Sequence, residues 1–302
     1  MAVATVDHGL RATSRAEAEA VGAAARRLGL DHHLLTWSSR PARVSQDAAR
    51  RARYRLLDGC AARIGAGCLV TAHTLDDQAE TILMRAAAGS GLSGLGGMRP
   101  VVARHGLRHV RPLLPVAKAR LVATCRAEGW PYIEDPSNAD PLYARARWRG
   151  LMPDLAEQGL DATRISRLAR RLRGADEALD VTATAAFNRL GRVLPEGTVA
   201  LDGWALAAEP DEIGLRVLAL ALRRGNVAPI RLERLEACFA AMSAAISARA
   251  ALRRTLAGRQ ITVAKDGQIR IAPEPPRHRG RAPVTEIAAA APHSLGIDDA
   301  RT

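Results

Sequence analysis

The chain has 302 residues, 48% of them hydrophobic and 3% aromatic, so it is long enough for two domains with real cores. Lysine and arginine number 44 against 31 acidic residues, and the formal net charge of +13 favours a polyanionic partner, usually nucleic acid. Its four cysteines form no C-x-x-C pair, which argues against a zinc or iron–sulfur site. The sequence shows neither an apolar run of about 18 residues nor a signal peptide, so we expect a cytoplasmic protein without a membrane segment.

The first part of the chain alternates strand and helix patterns. Strands are predicted at Ala2–Val6, Asp31–Trp37 and Leu69–Ala72. Helices are predicted from Ser14, where Ser14 and Glu17 fit a capping box, from about Gln46 to Ile64, and from Thr74. This alternation predicts a Rossmann-like parallel sheet with helices, in which ligands lie at the carboxyl ends of the strands. Asp7, His8 and His73 fall at that edge.

The remaining elements divide the chain. A hairpin is predicted within Val101–Leu114, a helix over Val116–Gly129 and a strand at Trp130–Ile133. From Asp154 to Ala257 the pattern is mostly helical, and Ile261–Ile271 alternates around Asp266-Gly267, a strong hairpin signal. We therefore predict an α/β domain at 1–150, a smaller, mainly helical domain at 151–272, and a disordered tail at 273–302, which is rich in Pro, Arg and Ala.

The most informative segment runs from Val70 to Met98. Its helix carries Asp76, Asp77 and Glu80, and spacings of three and four residues place Glu80 on the same face as the other two carboxylates. Hard cations prefer carboxylate oxygen, so a magnesium–nucleotide site is one interpretation. A solvated helix start is the other, because acidic residues also favour a first turn.

Four further features have both a functional and a structural interpretation. Arg53 either stabilises phosphate charge or packs along its helix, and His73 is either a site residue or a helix cap. The glycine-rich loop from Gly89 to Gly97 is either a lid or tRNA-facing loop, or plain turn chemistry. The basic run Arg145, Arg147 and Arg149 is either a phosphate track or a solvated face.

An ordered set of motifs in residues 3–150 resembles the tRNA(Ile)-lysidine synthetase family of the N-type ATP pyrophosphatase (PP-loop) superfamily. The matching segments are Val6-Asp7-His8-Gly9-Leu10-Arg11, Ala49-Arg50 with Arg53-Tyr54, Thr71-Ala72-His73 with Asp76-Asp77-Gln78-Ala79-Glu80-Thr81, Gly89-Ser90-Gly91 with Gly94-Leu95 and Met98, Arg111-Pro112-Leu113-Leu114, and Ile133-Glu134-Asp135-Pro136-Ser137-Asn138 with Arg145. The later, mainly helical part resembles the family's tRNA-binding C-terminal domain more weakly.

The resemblance implies a carbon–nitrogen ligase. Such enzymes adenylate the wobble cytidine of tRNA(Ile) with ATP, and a free lysine amine then displaces AMP to give lysidine. The implied catalytic residues are Arg53, His73, Asp77, Glu80 and Arg145, with Asp77 and Glu80 holding Mg²⁺ or orienting the lysine ammonium. Asp7, His8, His73 and Asp76 are the implied nucleotide contacts, and Arg111, Arg147 and Arg149 the implied tRNA contacts. The oligomeric state is left open, with a homodimer among the alternatives.

One departure from the family concerns the first strand. The family has a Ser-Gly-Gly-x-Asp-Ser loop after that strand, whose amides cradle pyrophosphate, and this chain begins at what resembles the second strand. We therefore expect the neighbouring strands to lack a shared partner, and the chain as written to bind ATP poorly and have little activity. A misplaced start codon or a truncated, inactive copy would each explain the difference.

Two other functions remain open at this stage. A PP-loop tRNA thiolase is the nearest enzyme, although the missing C-x-x-C pair argues against it. A non-catalytic RNA-binding remnant is favoured by the missing phosphate loop and disfavoured by the retained acidic helix.

Overall fold

The protein forms two compact units, Met1–Ala185 and Ala186–Thr302. The computed structural model describes residues 1–9, 13–38, 45–104, 106–132, 140, 142, 144–224 and 230–275. The boundary between the units lies inside the helix Ala162–Leu190 and not near residue 150. The reason is that Ile165 and Ala169 of this helix pack with Ala79 and Ile82, which keeps its first part in the N-terminal unit.

The N-terminal unit confirms the predicted alternation of strands and helices. Its elements are β1 (Ala2–Asp7), α1 (Ser14–Arg27), β2 (Asp31–Thr36), α2 (Gln46–Arg63), β3 (Cys68–Val70), α3 (Leu75–Ala87), α4 (Leu92–Leu95), β4 (Val101–Arg104), β5 (Leu107–Val110), α5 (Lys118–Ala127), α6 (Ala144–Glu157) and most of α7 (Ala162–Leu190). The predicted hairpin is β4–β5. The strand predicted from Trp130 is wrong for residues 130–132, which are outside any strand.

The strands of this unit form two sheets. β1 and β2 pair in parallel, while β5 lies between β3, its parallel partner, and β4, its antiparallel partner. Within the described residues, β1 and β3 have no strand in common. Helix α2 packs against both sheets, because its buried Tyr54, Leu57 and Cys60 form one apolar cluster with Val6 of β1 and Leu69 of β3.

The start of α1 differs from the predicted capping box. Thr13 is the N-cap, and its hydroxyl donates to Glu17 Oε1 at 2.8 Å. The Ser14 hydroxyl instead donates to Asp7 Oδ1 at 2.7 Å, and the Gly9 amide donates to the same oxygen at 2.8 Å. Asp7 is therefore held in place at the carboxyl end of β1, and Ser14 orients it instead of capping the helix.

The C-terminal unit combines helices with an antiparallel sheet. Its elements are the end of α7, β6 (Gly191–Val193), a 3₁₀ turn (Pro195–Gly197), β7 (Val199–Asp202), α8 (Gly203–Ala207), α9 (Asp211–Arg223), α10 (Leu232–Ser247), β8 (Leu252–Leu256), β9 (Arg259–Val263) and β10 (Gln268–Pro273). The predicted hairpin is β9–β10, within the order β6-β7-β10-β9-β8. Strands β6, β7 and β8 lie where the sequence predicts helix, because runs of three to five residues are too short for a clear period. None of the helices in the described part of the chain is long and apolar enough to cross a membrane.

Candidate active site

Helix α3 begins at Thr74 because its first turn is capped reciprocally. The Asp77 amide donates to Thr74 Oγ1 at 3.4 Å, and Asp77 Oδ2 accepts from the Thr74 amide at 2.8 Å and from its hydroxyl at 2.9 Å. Asp76 Oδ2 accepts from the Lys118 amide at 2.7 Å, at the start of α5, where Ala117 supplies no side-chain cap. One oxygen of each aspartate therefore has a structural role.

The acidic face of α3 meets a basic face of α6. Arg149 Nε donates to Glu80 Oε1 at 2.8 Å, and Glu80 is 1% exposed. Arg145 Nη1 lies 3.9 Å from Asp77 Oδ1, while its Nη2 donates to Thr81 Oγ1 at 3.3 Å. The structure thus brings together Asp77, Glu80 and Arg145, which the sequence assigned to one site.

A cavity of about 470 Å³ lies beside these helices. Asp76, Asp77 and Glu80 line it together with the cations Lys118 and Arg149. Its apolar wall consists of Leu121, Val122, Cys125 and Met152. The second carboxylate oxygen of Glu80, Oε2, is buried and has no hydrogen-bond partner among the described residues. Such an oxygen is costly to bury unless a ligand completes it, so the cavity suits a small ligand with a cationic group.

His73 ends a buried chain of hydrogen bonds. Thr71 Oγ1 lies 2.8 Å from His73 Nδ1 and 2.8 Å from His109 Nε2, and Arg111 Nη2 lies 3.1 Å from His109 Nδ1. Arginine can only donate, so His109 Nδ1 accepts and its Nε2–H donates to Thr71. The Thr71 hydroxyl still has one proton to donate, and when it donates to His73 Nδ1 the proton of neutral His73 is on Nε2. In that form His73 presents a hydrogen-bond donor, not a base.

Burial keeps both histidines neutral. It lowers the pKa of His73 from 6.5 to about 4, against the opposing field of Asp77 and with help from Arg111. Burial and the Arg111 charge likewise lower the pKa of His109 to about 4. The pKa of His8 is also lowered, first by burial and then by Arg53, which places a positive field beside the end of β1.

The remaining predicted residues are distributed over several places. The hydrogen bond from Ser14, followed by that from Gly9, lowers the pKa of Asp7, so this carboxylate is ionised beside His8. Arg147 is exposed and donates to the Leu142 carbonyl at 3.1 Å. The motif from Ile133 to Asn138 and the pair Leu10-Arg11 lie outside the described residues.

Arg111 and Arg149, two of the predicted tRNA contacts, each have a partner within the protein. Arg111 is 8% exposed, and its Nη1 donates to the Arg99 carbonyl at 2.8 Å. Arg149 is committed to Glu80. Neither side chain's inward partner could be read from its own segment.

The glycine-rich loop after α3 is fastened on both sides. Arg85 donates to the carbonyls of Gly94 at 2.8 Å and Gly97 at 3.0 Å, while Arg173 donates to that of Gly96. The Gln78 amide exchanges two hydrogen bonds with the Met98 backbone, at 2.7 and 3.0 Å. No role was assigned from the sequence to Arg85, Arg173, Gln78, Thr71 or His109. Two of these, Thr71 and Gln78, lie within a motif that matches the family, which was the available signal.

A divalent cation is another candidate ligand of the acidic residues on α3. Among the described residues, no three His, Cys, Asp or Glu side chains converge in a way that could hold a metal ion. Asp77 Oδ1 and Glu80 Oε2 are nevertheless carboxylate oxygens without a close hydrogen-bond donor in this part of the chain. Two such oxygens fit Mg²⁺, which usually takes one or two carboxylates and completes its shell with water and phosphate.

Comparison with known proteins places these features in a class. A family described as "PP-loop domain" matches residues 1–155, the part that carries the carboxylates, the histidine chain and the cavity. The fold and the site thus define a PP-loop domain protein.

Full-length relatives narrow this class. A tRNA(Ile)-lysidine synthase of Methylobacterium nodulans is 52% identical over 92% of this chain and 84% of its own length. Lysidine synthases of Methylobacterium sp. and Bradyrhizobium sp. are 52% and 45% identical over 92% and 91% of the chain, which covers 82% of each of them. The chain belongs to the tRNA(Ile)-lysidine synthase family. A solved structure, the U34-tRNA thiolase NcsA from Methanococcus maripaludis with its [4Fe-4S] cluster, is similar at a TM-score of 0.48 and 16% identity over 56% of this chain and 60% of that one.

Proposed function

We propose that the protein forms lysidine at the wobble cytidine of tRNA(Ile). The cytidine O2 attacks the α-phosphorus of ATP, the bond to the β-phosphate breaks, and pyrophosphate leaves. An amine of free lysine then forms a C–N bond at C2, and AMP leaves with the O2 oxygen while the nitrogen loses a proton. The names of the relatives support the reaction, and the acidic cavity beside α3 supports the amine substrate.

The cavity carries this proposal because its lining suits lysine at both ends. Carboxylates of Asp77 and Glu80 pair with an ammonium, Lys118 and Arg149 offer charge to a carboxylate, and Leu121, Val122 and Met152 face the methylenes. The buried Glu80 Oε2 would gain the donor it lacks among the described residues. An ammonium with three donors is the natural partner for two converging carboxylates.

ATP use accords with the PP-loop domain. We assign Asp7, His8, His73 and Asp76 to the nucleotide side, where the His73 Nε2–H donates to a phosphate or base acceptor. Arg53 and Arg145 would stabilise the charge that develops on phosphate. In place of the ammonium, Asp77 and Glu80 would hold Mg²⁺, which would supply charge neutralisation for the phosphates. Arg147 remains the predicted tRNA contact of α6.

The direct test is transfer of labelled lysine to RNA. The protein is incubated with ATP, labelled lysine and a tRNA(Ile) transcript with a CAU anticodon, and the label in the RNA is counted. A transcript with uridine at the wobble position is the matched control and should stay unlabelled. Because the chain as written is expected to have little activity, any label in the first RNA above that of the control supports the proposal. Label in neither RNA, at protein concentrations and times well beyond those at which a related lysidine synthase labels the first, would reject it.

The cavity assignment has a separate test. Lysine binding to the protein alone is measured by calorimetry for the native chain and for Asp77→Asn. We expect at least about tenfold weaker binding in the variant, because a charged hydrogen bond is lost. Unchanged lysine affinity would remove Asp77 from the amine site.

The two other functions predict different outcomes. A thiolase is not favoured, since the high-identity relatives are lysidine synthases. A non-catalytic RNA-binding protein would bind tRNA(Ile) tightly while transferring no label.

A further inference from the structure

A second cavity, of about 500 Å³, lies on the other side of α3. Leu75 and Gln78 of α3 line it, whereas Asp76, Asp77 and Glu80 line the first. Four arginines also line the second cavity: Arg111, Arg167, Arg170 and Arg173. No aspartate or glutamate of the described residues is among its lining. It is therefore an uncompensated positive site, in contrast to the acidic cavity.

Two of these arginines have no counter-charge within the described part of the chain. Arg167 and Arg170 are exposed, lie one turn apart on α7, and form no ion pair with any residue that the structure describes. Other arginines of the same unit, such as Arg164, Arg104 and Arg99, do pair with nearby carboxylates. Positive side chains left unpaired around a concavity raise the local concentration of anions.

A buried donor points to the same ligand. Arg111 is 8% exposed, and its Nε has no hydrogen-bond partner among the described residues, although its Nη1 and Nη2 do. Leaving a charged donor buried and unpaired is costly. Hydroxyls of Thr163 and Ser166 line the cavity as well, and hydroxyls and guanidinium groups are typical phosphate contacts.

We infer that this cavity binds a backbone phosphate of RNA. Beside the arginines, Met98, Pro100, Pro112, Leu114 and Pro115 provide an apolar wall suited to a ribose or an unstacked base, which a free phosphate ion would not use. The choice of RNA rests on the proposed function, whereas the anionic chemistry rests on the cavity. The phosphate track predicted on α6 is thus relocated to α7, since Arg145 and Arg149 face carboxylates.

The test is tRNA(Ile) binding by Arg167→Ala/Arg170→Ala, measured by filter binding over a range of salt concentrations. Arg171→Ala is the matched control, because Arg171 is exposed on the same helix but does not line the cavity. We expect the double variant to bind at least about tenfold more weakly and to lower the salt slope by about 1–2, and the control to change affinity by less than about threefold. Equal losses per removed charge in both proteins, or no loss in the double variant, would overturn the inference.

Two further measurements separate the ligand sources and the two proposals. The Arg111 Nε–H resonance is followed by NMR during addition of inorganic phosphate or of a short single-stranded RNA. A shift with RNA at micromolar concentration supports the site, and a response to inorganic phosphate alone overturns the RNA assignment. Binding needs no turnover, so failed lysine transfer with cavity-dependent tRNA binding would reject only the proposed function.

Discussion

Arg111 sets the tautomer of His109, because its Nη2, 3.1 Å from His109 Nδ1, has only hydrogens to offer. Through Thr71 the same hydrogen-bond chain reaches His73, so a guanidinium at the end of β5 is linked to the proton position of His73. The hydrogen-bond chain joins the segment that follows β3 to the end of β5, and these two strands pair in parallel. Pairing of these strands is thus a condition for the protonation pattern of the candidate site.

Replacing Thr71 should release that constraint. In Thr71→Val, His73 loses the donor to Nδ1, and ¹⁵N NMR should show a mixture of its two neutral tautomers in place of the Nε2–H form. The buried His109 Nε2–H also loses its acceptor, so the free energy of unfolding should fall by about 1–3 kcal/mol. Thr71→Ser keeps the hydroxyl and should retain the single tautomer. A single Nε2–H tautomer in Thr71→Val would refute the hydrogen-bond chain.

Stability should fall on acidification below pH 6.5. The pKa values of His73 and His109 lie near 4 in the folded protein against 6.5 for an unperturbed histidine, so the unfolded chain binds protons first. The free energy of unfolding should be level above pH 6.5 and drop by up to about 3 kcal/mol for each of the two histidines on approaching pH 4. Urea unfolding at a series of pH values measures this, and His73→Gln should show a smaller drop. An identical pH profile in that variant would contradict the assignment to His73.

Removing one partner of the Glu80–Arg149 pair should lower stability more than replacing both partners. Arg149→Met leaves the buried Glu80 carboxylate without its nearest cation and should destabilise the protein by about 2–4 kcal/mol. Adding Glu80→Gln removes that charge and should restore part of the loss. Arg51→Met breaks the exposed pair with Asp47 and should cost less than about 1 kcal/mol. Thermal unfolding of the native protein, the two single variants and the double variant measures these differences. This prediction would be contradicted if the double variant were the least stable of the four.

The glycine-rich loop offers a matched pair of glycines. Gly97 has φ +71°, and a Cβ there would lie 2.8 Å from the Gln78 Nε2 atom that holds Met98. Gly89 has φ +66° with no atom within 4 Å of such a Cβ. Gly89→Ala should therefore cost only the backbone strain, about 1 kcal/mol, and Gly97→Ala about 2–4 kcal/mol. If chemical denaturation gave equal losses of stability for the two variants, the Gln78 side chain would have moved aside without a measurable penalty, contrary to this prediction.

Local signals predicted the framework of the N-terminal unit. The helix start at Thr74 and the alternation of strands and helices depend on neighbouring residues, and the structure confirms both. The partners of Arg149 and Arg111 could not be predicted, because Glu80 lies 69 residues from Arg149 and the direction of Arg111 depends on how β5 pairs. The same limit explains why the capping box at Ser14 was wrong: its hydroxyl donates to Asp7 at the end of β1 and does not cap its own helix.

The C-terminal unit shows a different limit. The Asp266-Gly267 turn is visible because it requires Gly267 at φ +83°, a local property. Strands β6 and β7 are defined by their antiparallel partners, and three or four residues carry too little alternation to reveal them.

Helix α2 couples the positions of the two sheets of the N-terminal unit, because both sheets pack against it. Paired strands do not slide along each other, because their backbone hydrogen bonds fix one register. Elements that contact only through side chains can make small shear movements. The β1–β2 pair and the β3–β5–β4 sheet meet on the same apolar side chains of α2, including Leu57 and Cys60. Shortening the Leu57 side chain would therefore loosen two places at once, although Leu57 belongs to neither sheet. These are Asp7 and His8 at the end of β1, and the Thr71–His73 segment after β3.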